Sequence, residues 1–492
     1  AHAELAAAYL STADHPAAAA EYREALRLKP DDPALHENLG LVLRKTGDLL
    51  GGISELRKAV ELAPNTADYR RNLAEAYQAA GDVAGFIQEY REEVRLRPDD
   101  ADAHLHLANA YQVGGDLEKA LGEYRVAMRL RPQSPEMHYH LAMVLNSSGQ
   151  AQEAQAELER ALRLRSDYPE ALIALGDLLA AQKNYALAVP NYHDALRLRP
   201  DDAGLHARLG VALRENGDLE AALQDLREAV RLAPQNAAFH HELGNTLLRR
   251  GDFKGAAEAY QAGLARRPSD PETQTNLGLT LMQTGDWQGA AAAFREVVKS
   301  RPEWSDAHVN LANVLNRLED PEGAAAAAQA ALHLTPHLAE AHFQLGLARL
   351  RQGKLDEATS EFRESLRAKP DLAEARLSLA NTLRQKGDLD EAISNFREYL
   401  RLRPQEPRAH LSLANALHAK GDLERAIREY EEAIRLLPDL ANAHYNLAVT
   451  LETSGQTERA RQEYQLYLQL SPNAPDAAEV HKHLKSLGTP KK

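Results

Sequence analysis

The sequence predicts an all-α fold, an array of about fourteen stacked 34-residue helix-turn-helix units, and three observations carry that reading. Prolines recur at 30, 64, 98 and 132 and again from 200 to 472 at an interval of 34 residues, with Ser166 filling the one missing step. Counting the third residue after each proline as position 1, position 7 is leucine in every copy, from Leu5 and Leu39 to Leu447. Positions 8 and 20 are small: position 8 is always Gly or Ala, and position 20 is Ala except at Gly52 and Phe86. A fixed period without insertions marks a repeat architecture, in which each unit touches only its neighbours. The usual division of a 492-residue chain into about three globular domains therefore does not apply.

Each element of the unit has a cause. Gly stands at position 15 in eleven copies and is followed by Asp in eight of them, as in Gly217-Asp218 and Gly387-Asp388. The glycine supplies a left-handed C-cap to the first helix, and the aspartate accepts from the free N–H groups that open the second. Small residues at 8 and 20 let the two antiparallel helices approach, while Leu at 7 and Tyr, Phe or Leu at 24 fill the space around the contact. Ala328 is the one exception at position 24. Proline at position 32 ends the second helix. Arg197, Arg199, Arg401 and Arg403 fall in last turns and Asp218 and Glu220 at a helix start, so much of the charge complements helix dipoles.

Together the Leu-Gly/Ala pair, Ala at 20, the aromatic at 24, Ala at 27 (Ala59, Ala127, Ala161, Ala195, Ala433) and Pro at 32 resemble the tetratricopeptide repeat. The resemblance covers residues 1–474, as a near-complete first repeat (1–32) and thirteen full ones (33–474). It implies a right-handed α-solenoid superhelix, with the first helices lining a concave groove. Residues 475–487 read as a polar capping helix with Val480, Leu484 and Leu487 on one face, and 488–492 as a tail; this ending speaks against a fused C-terminal domain. The first helix, Ala1 to Leu10, is Ala-rich with Glu4 as its one acid, so either more chain precedes it or this end meets another surface. Pro190, with Ser166 and Lys183 nearby, marks either a tolerated irregularity or a hinge near 166–190. Ala324 to Ala328, and Gly51 with Gly52, predict local thinning.

Composition narrows the function. With 58 basic against 72 acidic side chains, the net charge of -14 excludes a phosphate backbone as the main partner. No run of 18 apolar residues exists, so membrane insertion is not expected. The lack of cysteine removes disulfides, thiol catalysis and thiolate metal sites, and leans the compartment toward the outside of the cytoplasm. No signal peptide or initiator Met is present, so a processed chain or a fragment is expected. There is no Gly-rich phosphate loop, HExxH or GxSxG, so neither catalysis nor a cofactor is expected.

By the family resemblance, positions 2, 5, 6, 9, 12 and 13 of each first helix face the groove. Over the thirteen full copies they carry 14 acidic and 10 basic side chains, a mixed surface. Asparagines recur there, notably Asn276 and Asn446 at position 6 and Asn109, Asn245, Asn313, Asn381 and Asn415 at position 9. An amide offers donor and acceptor together, so a row of them can pair with the backbone of an extended peptide. This is similar to the asparagine ladder of O-linked N-acetylglucosamine transferase. The densest patch is Asn310, Asn313 and Asn316 on one helix, with Arg317 adjacent and Asn276 one repeat earlier. The dicarboxylate clamp of chaperone-binding members is not expected, because the position-9 asparagines have Leu105, His241, Val309, Leu377 and Leu411 at position 5.

Ten of the 20 histidines sit at position 4: His2, His36, His104, His138, His206, His240, His308, His342, His410 and His444. In the family this position faces the neighbouring repeat, where copies stand too far apart to share a metal, so packing explains the ladder and no metal site is expected. The leading functional reading is a protein or peptide partner, of unidentified kind, held in the groove by an adaptor. Alternatives are a self-associating scaffold whose Ala-rich N-terminal end forms a homo-oligomer or filament, and the non-catalytic arm of a larger enzyme such as a glycosyltransferase.

Overall fold

The computed structural model describes residues 1–487; the expected tail at 488–492 lies outside the described residues. Among the described residues twenty-nine helices run from His2–Ser11 to Ala477–Ser486, with no strand. They fall into two compact units, Ala1–Pro234 with fourteen helices and Gln235–Lys492 with fifteen. Each unit is an all-α solenoid in which helix pairs such as Pro33–Thr46 with Leu49–Leu62, or Ala339–Arg351 with Leu355–Ala368, stack on the next pair.

The pairs close on the small residues. A Cβ on Gly346 would lie 2.6 Å from Cε1 of Phe362, and one on Gly244 would lie 2.5 Å from Cε1 of Tyr260. The missing side chain is what lets the position-24 ring lie against the first helix, fully buried in both cases. Gly47, Gly217, Gly251, Gly285 and Gly387 end their helices at φ 79 to 96°, as left-handed caps. The copies without glycine at position 15 hold Ala13, Lys183 and Glu319 there at φ 59 to 60°, where an L side chain is disfavoured. Asp48, Asp82, Asp116 and Asp218 each accept from the N–H three residues on, at 2.9 to 3.2 Å. Asp388 departs from that expectation: it makes no cap bond, and its carboxylate lies 3.4 Å from Lys386 instead.

The irregular copies are accommodated locally. Helix Tyr185–Leu198 runs unbroken through Pro190. Pro190 and Ala186, whose carbonyl loses its helical partner, both lie exposed, so water can take the missing donor's place. In helix Pro321–Leu334 the alanines 324, 325, 327 and 328 are buried. Their short side chains let Ala339–Arg351 settle on Ser305–Arg317, and this pair packs together more extensively than other successive first helices among the described residues. At the N-terminal end Leu5 is 44% exposed where Leu39, its counterpart in the next copy, is buried. At the other end Val480, Leu484 and Leu487 pack against the last repeats, as their spacing on one face requires.

Candidate peptide-binding face

The asparagines of the first helices divide by what their repeat places at position 24. Where that residue is tyrosine, its hydroxyl donates to the amide oxygen: Tyr260 to Asn245 and Tyr430 to Asn415, each at 2.7 Å, and Tyr124 to Asn109. Burial holds the Tyr124 and Tyr430 hydroxyls above the ordinary phenol range, so both remain donors. The bond fixes the amide with Oδ1 inward and leaves Nδ2 as its remaining donor. Asp177 takes the same bond from Tyr192, at 2.7 Å. Asn276 and Asn446 extend the pattern one repeat on, donating to Asn245 at 3.1 Å and Asn415 at 2.9 Å. Asn381 faces Phe396 at position 24, which has no hydroxyl, and donates instead to the Leu377 carbonyl at 3.0 Å.

The helix Ser305–Arg317 is different because its repeat has Ala328 at position 24. Asn310 and Asn313 are half-buried and have no hydrogen-bond partner among the described residues. Asn316 was expected on the same face, but it is 3% exposed and donates to the backbone and side-chain oxygens of Gln344, both at 3.0 Å. The alanine-lined second helix is the cause, since it lets the next first helix close over Asn316. Exposed Arg317 places its guanidinium 5.7 Å from the ring centre of Trp287, in the repeat before.

Charge on this face is less acidic than the residue count implies. Six of the fourteen carboxylates, all at position 2, pair with the base at position 31 of their own repeat, as Asp102 does with Arg131 at 2.8 Å. The Arg131 hydrogen bond, against some burial, holds Asp102 below the usual carboxylate range. Glu37 is engaged by Asn72 at 2.7 Å and Glu75 by Arg44 at 3.3 Å. His241, the position-5 residue closest to the clamp pattern, bonds Thr273 at 2.7 Å and lies tilted against Tyr260.

Two relationships were legible in the sequence and missed. Tyr at 24 co-occurs with Asn or Asp at 9 in four copies, and an acid at 23 co-occurs with His at 4. The position-4 rings do not simply face the neighbouring repeat. Seven of them span from their own second helix to the proline carbonyl of the repeat before, as His36 does with Glu55 and Pro30. Among the described residues no group of three or more His, Asp or Glu is placed to hold a metal, and no helix is long and apolar enough to cross a membrane.

Tetratricopeptide repeat models match residues 51–135, 139–203 and 241–475, and related repeat models match 6–47, 34–66 and 212–251. No curated protein matches the chain. Among solved structures, MamA from Desulfovibrio magneticus RS-1 is 27% identical over 35% of this chain and 96% of its own, with a TM-score of 0.34. YrrB, described as a TPR protein with an unusual peptide-binding site, is 23% identical over 39% and 100%, with a TM-score of 0.37. The pilF protein of Pseudomonas aeruginosa is 20% identical over 43% and 97%, with a TM-score of 0.39.

Proposed function

Because the chain belongs to the tetratricopeptide repeat family, we propose that it is a non-catalytic scaffold that holds an extended segment of a partner protein along its first helices. The observation that carries this reading is the pair of free amides at Asn310 and Asn313, half-buried and without a protein partner among the described residues. Amides that packing does not use and whose polar atoms stay open to solvent remain available to a ligand. Two of them, one helical turn apart, match the alternating N–H and C=O groups of an extended backbone. Arg317, braced on Trp287, supplies a cation beside them for an acidic side chain or a chain terminus. Within Gln235–Lys492, Asn245 and Asn415 extend the donor row with amides already oriented by tyrosine, which lowers the ordering cost of binding; in Ala1–Pro234, Asn109 is oriented by Tyr124 in the same way. Asn276, Asn381, Asn446 and Asn316 hold that row and its helices in place.

The test is selection of extended peptides from a displayed library on the full chain, followed by affinity measurement on an N310A/N313A/R317A variant. Binding weakened by about tenfold or more, roughly the worth of one or two hydrogen bonds to charged or buried groups, supports the reading. Selected peptides that bind the variant equally well, or a library that yields no binder, contradict it.

A further inference from the structure

Seven first helices carry at position 4 a histidine whose two ring nitrogens both face oxygen acceptors. In His36, Nδ1 lies 2.6 Å from Oε2 of Glu55 and Nε2 lies 2.8 Å from the Pro30 carbonyl. In His410 the distances are 2.7 Å to Glu429 and 3.1 Å to Pro404, and in His444 they are 2.6 Å to Glu463 and 3.0 Å to Pro438. The same pair of contacts recurs at His104, His138, His206 and His342. The carboxylate stands at position 23 of the histidine's own repeat, whereas the carbonyl belongs to the proline that closes the repeat before. Each ring therefore ties one repeat to its predecessor.

A neutral imidazole has one N–H and one lone pair. Between two acceptors it satisfies one and sets its lone pair against the other; only the imidazolium donates to both. The copies without histidine follow the same logic, because most use donors that need no proton from solvent. Arg70 donates to Glu89 at 2.7 Å, Arg376 to the Pro370 carbonyl at 2.6 Å, and Gln274 to the Pro268 carbonyl at 3.4 Å. Leu172, the apolar occupant of position 4, follows Ser166, the one missing proline.

We propose that these seven histidines form a proton-operated latch between consecutive repeats, closed by the imidazolium and released as the pH rises. This stands apart from the peptide-binding reading and does not depend on it. The groups facing each ring fit a cation. His410 meets Glu429 and Glu432 of helix Leu423–Leu436, with Glu432 also held by Arg435 at 2.6 Å. His206 meets Asp225, with Glu228 nearby and held by Arg231. His138 meets Glu157, which also takes Arg160. His36, His104, His342 and His444 meet Glu55, Glu123, Glu361 and Glu463. Burial opposes the charge on His410, but the bonds to Glu429 and Pro404 outweigh it and raise its pKa above the ordinary imidazole value. For His410, a folded-state value above the unfolded one gives stability that is complete below about pH 6.5 and is lost as the pH rises through the folded value.

Thermal unfolding of the full chain, followed by far-UV circular dichroism at pH 6 and 8.5 and equal ionic strength, tests the latch. Three proteins are compared: the native chain, one with all seven histidines changed to Gln as at Gln274, and one with them changed to Arg as at Arg70. The native midpoint is expected to fall between the two pH values, while both variants stay level. A native midpoint that stays level or rises, or a fall that persists in the Gln variant, overturns the proposal. If the sevenfold variants do not fold, two-bond proton–nitrogen spectra of the native histidines decide. A His410 ring protonated on both nitrogens at pH 6 and reverting to a single tautomer at higher pH is expected; a neutral His410 ring at pH 6 would overturn it.

Discussion

Tyr260 donates its hydroxyl to Oδ1 of Asn245 at 2.7 Å, joining the second helix of a repeat to the first-helix face on which a ligand would lie. That bond has two roles, one in packing and one in orientation, and they can be separated. Tyr260→Phe keeps the ring and removes the hydroxyl. It is expected to cost about 0.5–1.5 kcal/mol of stability by urea unfolding. It is also expected to weaken peptide binding at that repeat, since the Asn245 amide is then held by the Asn276 donation alone. Unchanged stability and unchanged binding would show that the hydroxyl fixes nothing.

Asn313 and Asn316 are three residues apart, yet they are expected to respond in opposite ways. Asn316→Ala removes both bonds to Gln344 from a buried site and should destabilise the chain by about 1–3 kcal/mol with little effect on peptide affinity. Asn313→Ala should leave the unfolding midpoint within about 0.5 kcal/mol of native and weaken binding. Urea unfolding and calorimetric titration of the two variants read both quantities.

Lys183 and Glu319 occupy a left-handed position that eleven other copies give to glycine. Relaxing that conformation is worth about 1 kcal/mol, offset in part by the greater freedom of glycine in the unfolded chain. Lys183→Gly and Glu319→Gly are each expected to raise the unfolding midpoint. A lower midpoint for both would show that these side chains make contacts worth more than the strain.

Close packing at position 8 has the opposite sign. A methyl group on Gly346 meets the buried Phe362 ring at 2.6 Å, so Gly346→Ala is expected to destabilise by about 1–3 kcal/mol. Helix propensity alone would predict stabilisation, so the sign of the change is decisive.

Acid acts on the ion pairs between positions 2 and 31. Asp68 and Asp102 have depressed pKa values, each first through the arginine hydrogen bond, so their contribution is present above about pH 4 and lost as the pH falls below it. Both carboxylates are about half-exposed, so each pair should be worth only about 0.2–1 kcal/mol. Changing both to Asn should flatten the acid limb of stability against pH without moving the neutral region.

The repeat was legible because its period holds in every copy and its caps and small contacts, set by backbone rules, recur in most. Pro190 was legible as an irregularity, but its outcome depended on facing solvent, which period alone does not give. The position of Asn316 was not legible because it is fixed by the missing bulk of Ala324 to Ala328, on a helix adjacent in space rather than by its own spacing. The bonds of the position-4 histidines were hidden for a related reason. One partner lies 19 residues ahead and the other six behind, so neither falls on the histidine's own helical face.

Hydrogen exchange of the full chain with and without a selected peptide tests the central claim most directly. Protection centred on Ser305–Arg317 and the neighbouring first helix Pro271–Thr284 is the predicted result. Protection confined to the second helices, or to the ends of the chain, would contradict a ligand held along the first-helix face.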